Sequence, residues 1–129
     1  MPALVLADGW TIGQWTSDDA LRAFGIERDL AMTMHLCLAG MLGINRRRAQ
    51  ALRFLTRWEE LGNAGCFRGP WTNESGQASS DRRCRGHRHD QSAASWLCYE
   101  LGIPMADLKS FVRYEDQEAP DAMIRMTGI

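Results

Sequence analysis

The chain has 129 residues, 45% of them hydrophobic, with 15 Lys plus Arg against 16 Asp plus Glu and a formal net charge of -1. A chain of this size and composition folds as one globular domain, large enough to bury roughly two-thirds of its unfolded surface, which excludes the disordered and fibrous classes. The balanced charge gives no whole-chain attraction to nucleic acid or an anionic membrane, and no apolar run approaches the ~20 residues of a bilayer span.

The opening apolar run, Ala3 to Ala7, predicts a strand stopped by a turn at Asp8 and Gly9. Thr16 or Ser17 then caps a short helix, with Asp18 and Asp19 in its first turn and Gly25 as its stop. From Met34 to Ile44 the residues are apolar nearly throughout, which predicts one buried strand entering a tight turn. Asn45 caps the strongest helical pattern, residues 45–61, whose core face is Ala51, Leu52, Leu55, Trp58 and Leu61 and whose other face is rich in arginine. Residues 63–85 form a long polar loop without periodicity, expected to order on meeting a ligand or partner. A second helix spans residues 91–101, capped by Asp90 and closed by Gly102, with Ala94, Leu97, Cys98 and Leu101 inward. Pro104 starts a helical turn, a strand lies near Phe111 to Tyr114, and the segment AMIRMTGI forms a final edge strand. The fold class that follows is α/β or α+β, a small mixed sheet packed against two principal helices.

Chemistry concentrates before the second helix. Arg85, His87, Arg88 and His89 flank a helix start, where free backbone N–H groups and the positive dipole end favour anions. Asp90 is the candidate catalytic acid or base, and Gln91 and Ser92 are candidate hydroxyl binders. Cys66, Cys84, His87 and His89 have poor spacing for a Cys2His2 zinc site, so His87 and His89 are only weak metal candidates. The four cysteines form no CxxC pair and no signal peptide precedes them, which predicts free thiols in the cytoplasm. Trp10, Trp15 and Trp71 lie in polar stretches, as aromatics do on sugar-binding surfaces, where a ring face packs on the C–H face of a pyranose; they are equally suited to stacking on bases.

The segments AGMLGINRRRAQALRFLTRWEELG, FRGPWTN and DRRCRGHRHDQSAASWLCYELGI, in this order, resemble the C-terminal half of GT-A-like nucleotide-sugar glycosyltransferases. The resemblance implies a nucleotide-sugar donor and a carbohydrate acceptor, with Asp90 acting on the acceptor hydroxyl. It implies that His87 or His89 faces the metal or diphosphate, with Arg85, Arg88, Gln91, Ser92 and Trp71 binding substrate. The chain departs from that pattern in having no Asp-x-Asp after an apolar strand to hold Mn²⁺ or Mg²⁺, so either ion would need ligands supplied upstream. It is also about half the length such a domain needs, so the expectation is the acceptor-side part of a larger fold.

Two other classes fit the residues. One is a non-catalytic nucleic-acid-binding module using the arginine patches and tryptophans, against which the net charge counts. The other is a structural or assembly protein. A strand edge left open by a missing half predicts a homo-oligomer.

Overall fold

The apolar opening becomes the strand on which the sheet is assembled. In the computed structural model, which describes residues 3–107 and the strands 112–114 and 124–126, β1 (Ala3–Thr11) hydrogen-bonds to every other strand of a four-stranded mixed sheet. The antiparallel strands β2 (His35–Cys37) and β3 (Gly43–Ile44) pair with it through Ala7 with Cys37 and Ala3 with Ile44. The parallel strand β4 (Met105–Asp107) matches Val5 with Met105 and Ala7 with Asp107. Val5 and Leu6 are consecutive, hence on opposite faces, and both are buried, so β1 is covered on both sides. A second, two-stranded sheet pairs β5 (Val112–Tyr114) in parallel with β6 (Ile124–Met126).

The strand does not end at Asp8. Between the pairs Ala7–Cys37 and Thr11–His35, β1 runs three residues against one on β2, a bulge at which Gly9 takes φ +95° and the Asp8 carboxylate accepts the Trp10 N–H. The turn chemistry of Asp-Gly is real but is spent inside a strand. The single strand expected from Met34 to Ile44 is likewise two short ones, because β2 and β3 meet β1 in different registers. Pro104 leads into β4, not into a helical turn; an isolated turn gains little, whereas three residues beside β1 gain a ladder.

The first helix, α1 (Asp18–Phe24), matches its sequence signals: Ser17 Oγ accepts the Ala20 N–H, and Gly25 closes it in the left-handed conformation. A four-residue helix, α2 (Arg28–Ala31), was not anticipated. Its Arg28 is buried and binds the carbonyls of Gly13 and Thr16 and the carboxylate of Asp18.

Two longer helices follow. In α3 (Ala49–Asn63) Asn45 is not the cap: its side chain accepts the Arg47 N–H and its carbonyl the Arg48 N–H, shaping a turn before the helix begins. Its inward stripe is Ala51, Phe54 and Leu61 with Trp58 half-buried, while Leu52 is 48% and Leu55 37% exposed. The expectation that both helices rest on one sheet explains that error, since α4 (His89–Glu100) lies on β2 and α3 packs chiefly on α4. A second-layer helix has a narrower stripe to bury. Arg57 of α3 clasps Glu100 of α4 across the pair at 3.0 Å. Helix α4 is buried along Ser92, Ala93, Ala94, Ser95, Leu97 and Cys98, and these small residues let its backbone approach β2, where Ser95 Oγ accepts the Cys37 N–H.

The polar loop of residues 63–85 carries its own hydrogen-bond centre. Asn73 donates to the carbonyls of Ser79 and Cys84 and accepts the N–H groups of Ala78 and Ser79. Cys66, Ala78, Ser79 and Cys84 are buried beneath it.

Candidate functional site

The bulge in β1, the polar loop and the start of α4 converge on one surface. The bulge takes Asp8 and Trp10 out of the regular ladder; Trp15 follows in the turn after β1; Trp71 comes from the loop; Arg85 and Arg88 come from the approach to α4 and Gln91 from its first turn. The Arg88 guanidinium lies between two indoles, 3.6 Å from the centroid of Trp15 and 3.7 Å from that of Trp71, and donates to the Trp71 carbonyl. Arg85 lies 4.7 Å from Trp10 and 5.7 Å from Trp15, and Trp10 meets Trp15 edge to face. The order across the surface is therefore Trp10, Arg85, Trp15, Arg88, Trp71, with the His89 ring 5.5 Å beyond Trp71. Each cation–π contact at a partly exposed site such as this contributes about 0.5–1 kcal/mol. At the two ends Trp10 is 40% and Trp71 56% exposed.

Backbone conformation places this ladder. Gly86 has φ +154°, and a Cβ there would run into the Trp71 carbonyl, so only glycine lets the loop strand carrying Trp71 lie against the approach to α4. His89 holds φ +47°, unusual for a residue with a side chain, at the first position of α4.

Asp8 sits beside the stack. Its carboxylate accepts from Gln91 Nε2 at 2.8 Å, and burial pushes its pKa up against the opposing pull of the Trp10 N–H, Gln91 and the nearby Arg88 charge. Gln91 also donates to the Cys37 carbonyl, so the amide fixes the carboxylate to β2. Burial and the carboxylates of Asp8 and Asp90 drive the Cys37 thiol up to about 11, which leaves it protonated and unreactive at neutral pH.

Several residues expected to bind an anion are already engaged. His87 is fully buried: Nδ1 accepts the Ser17 N–H at 3.2 Å and Nε2 donates to the Cys66 carbonyl at 2.6 Å. Burial holds its pKa below the ordinary value, so it is a neutral structural pin and neither a phosphate nor a metal ligand. Arg88 is committed to two indoles, and His89 donates through Nε2 to the Gly69 carbonyl at 2.8 Å. Ser92 is buried, accepting the Arg88 N–H and donating to the Trp15 carbonyl, so it shapes the helix start and meets no ligand. Asp90 is exposed and stands in the first turn of α4, with Arg88 in the cap position expected for the acid. Among the described residues no three His, Cys, Asp or Glu side chains converge as a metal ion requires, so the residues present do not fit Mn²⁺, Mg²⁺ or zinc. All four cysteines are free and buried.

The structure thus unites Trp10, Trp15, Trp71, Arg85, Arg88 and Gln91, and adds Asp8, which the sequence offered only as half of a turn signal. A comparison with protein families, curated proteins and solved structures finds no match to this chain. No helix of the described residues is long and apolar enough to cross a membrane.

Proposed function

We propose that this chain is the acceptor-binding side of a glycosyltransferase-like domain and that the tryptophan–arginine ladder holds a glycan. The observation that carries this is the Arg88 guanidinium clamped between Trp15 and Trp71 beside the half-buried Asp8 carboxylate. Exposed indole faces pack on sugar C–H faces, while a carboxylate, an amide and a guanidinium held in fixed positions exchange hydrogen bonds with sugar hydroxyls. Because His87 is neutral and Arg88 is occupied, a diphosphate finds fewer free cations than the sequence promised, which favours the neutral acceptor over the charged donor. Asp8, with its raised pKa, is better placed than exposed Asp90 to take a proton from an acceptor hydroxyl. Transfer itself needs a donor site and its metal ligands from outside the described residues.

The same alternation of ring and guanidinium suits a single-stranded nucleic acid, the second reading. Calorimetric titration separates them, using neutral oligosaccharides, a nucleotide-sugar with Mn²⁺ and a short single-stranded oligonucleotide. The glycan reading expects oligosaccharide binding that is insensitive to salt and is lost in Trp10→Ala and Trp71→Ala. Oligonucleotide binding with steep salt dependence, and none to sugars, replaces it with the nucleic-acid module.

A further inference from the structure

On the α3 side of the α4 start lies an open groove of about 460 Å³ that the glycan reading does not use, lined by Leu55, Trp58, Glu59, Phe67, His89 and Asp90. Its walls are aromatic. Trp58 and Phe67 meet at 6.1 Å in a T-shaped pair, and Trp58 Nε1 donates to the Asp90 carbonyl, which fixes the indole between the two helices. Phe67 reaches this wall only because residue 62 is glycine; a Cβ there would lie 2.7 Å from its ring. His89 closes the loop side of the groove, its Nε2 donating to the Gly69 carbonyl at 2.8 Å. The rim is acidic. Glu59 and Asp90 are both exposed, and neither carboxylate has an ion-pair partner among the described residues, while the neighbouring Arg57 is committed to Glu60 and Glu100. No lysine or arginine lines the groove.

We propose that this groove binds a small organic cation of the alkylated ammonium class. Ring faces attract a cation through their quadrupole, and a weakly hydrated quaternary ammonium enters an apolar wall at less desolvation cost than a primary amine. Two uncompensated carboxylates at the rim supply the field that a neutral ligand of the same shape would not feel. The volume lies within the range of small-molecule sites.

The test uses the whole chain and two isosteric probes, choline and its uncharged analogue 3,3-dimethylbutan-1-ol, followed by the NMR shift of the Trp58 indole N–H. Choline is expected to saturate in the millimolar range and the alcohol to bind about tenfold more weakly or less. Glu59→Gln with Asp90→Asn, both exposed and so compatible with the fold, should weaken choline at least about threefold with helix content unchanged by circular dichroism. Trp10→Ala, which lies outside this groove, should leave choline binding unchanged while abolishing oligosaccharide binding, so that either reading can fail alone. Equal binding of the two probes, an unmoved Trp58 indole at about 50 mM choline, or full affinity in the double variant overturns the proposal.

Discussion

Replacing His87 with alanine should nearly unfold this protein. The imidazole bridges two buried backbone groups, the Ser17 N–H at the cap of α1 and the Cys66 carbonyl in the loop, while the backbone N–H of His87 binds the Pro70 carbonyl. Orphaning the first two costs about 1–3 kcal/mol each. A cavity of at most about 65 Å³ at about 24 cal/mol per Å³ adds about 1.6 kcal/mol. The loss is therefore about 4 kcal/mol or more, a large share of the roughly 5–15 kcal/mol that holds a domain together. His87→Asn keeps an oxygen near the position of Nδ1, so it retains the Ser17 partner and should cost about half as much. Because burial lowers the folded pKa below the unfolded 6.5, the unfolded chain binds the extra proton as pH falls. The stabilisation is present above 6.5 and is lost as pH drops through the folded pKa, with a slope of at most about 1.4 kcal/mol per pH unit. Urea denaturation at a series of pH values from neutral to mildly acidic measures both effects. A loss below about 1.5 kcal/mol for His87→Ala, or a variant that keeps the wild-type pH dependence, refutes the assignment of His87 as a buried neutral pin.

Other sites give further outcomes. Asp8→Asn keeps an oxygen for the Trp10 N–H, loses the second oxygen that accepts from Gln91 Nε2, and removes a carboxylate whose folded pKa is raised. Wild-type stability should fall as pH rises from 3.8 through that folded value, and the variant should lack this fall, as thermal melts at low and neutral pH will show. Asn73→Ala removes four hydrogen bonds and should destabilise by about 2–3 kcal/mol, with faster amide exchange confined first to residues 64–86. Gly86→Ala drives a Cβ into the Trp71 carbonyl, so it should displace Trp71, cost about 2 kcal/mol or more and weaken oligosaccharide binding together with the loss of stability. Arg88→Lys keeps the charge but loses the planar stack, and should change tryptophan fluorescence and cost about 1–2 kcal/mol, whereas unchanged emission would show that the stack is not formed in solution.

Some local signals read correctly because the deciding interaction is itself local, although Asn45 and Asp90 do not take the cap positions their sequence context suggests. Ser17, Asp18 and Asp19 announce α1 because a cap and a dipole act within four residues, and Gly25 and Gly102 mark helix ends because a left-handed residue after the last turn favours glycine. The apolar period likewise finds α3 and α4, though it misplaces both of their starts. Tertiary structure decided what period and propensity do not encode. Leu52 and Leu55 follow a helical period as well as Phe54 does, and only the placement of α3 on α4 determines which of them water reaches. His87 and His89 read alike in the sequence, yet one is sealed between Ser17 and Cys66, 70 and 21 residues away along the chain, and the other bonds Gly69, 20 residues away, and opens on a groove. Asp8 reads as a turn residue until the β1–β2 register forces a bulge and sets its carboxylate beside Arg88 and Gln91. The ladder needs three segments to meet, and a chain records the residues it brings to such a meeting without recording which of them touch, since that is fixed by long-range packing and by the close approach that Gly86 permits.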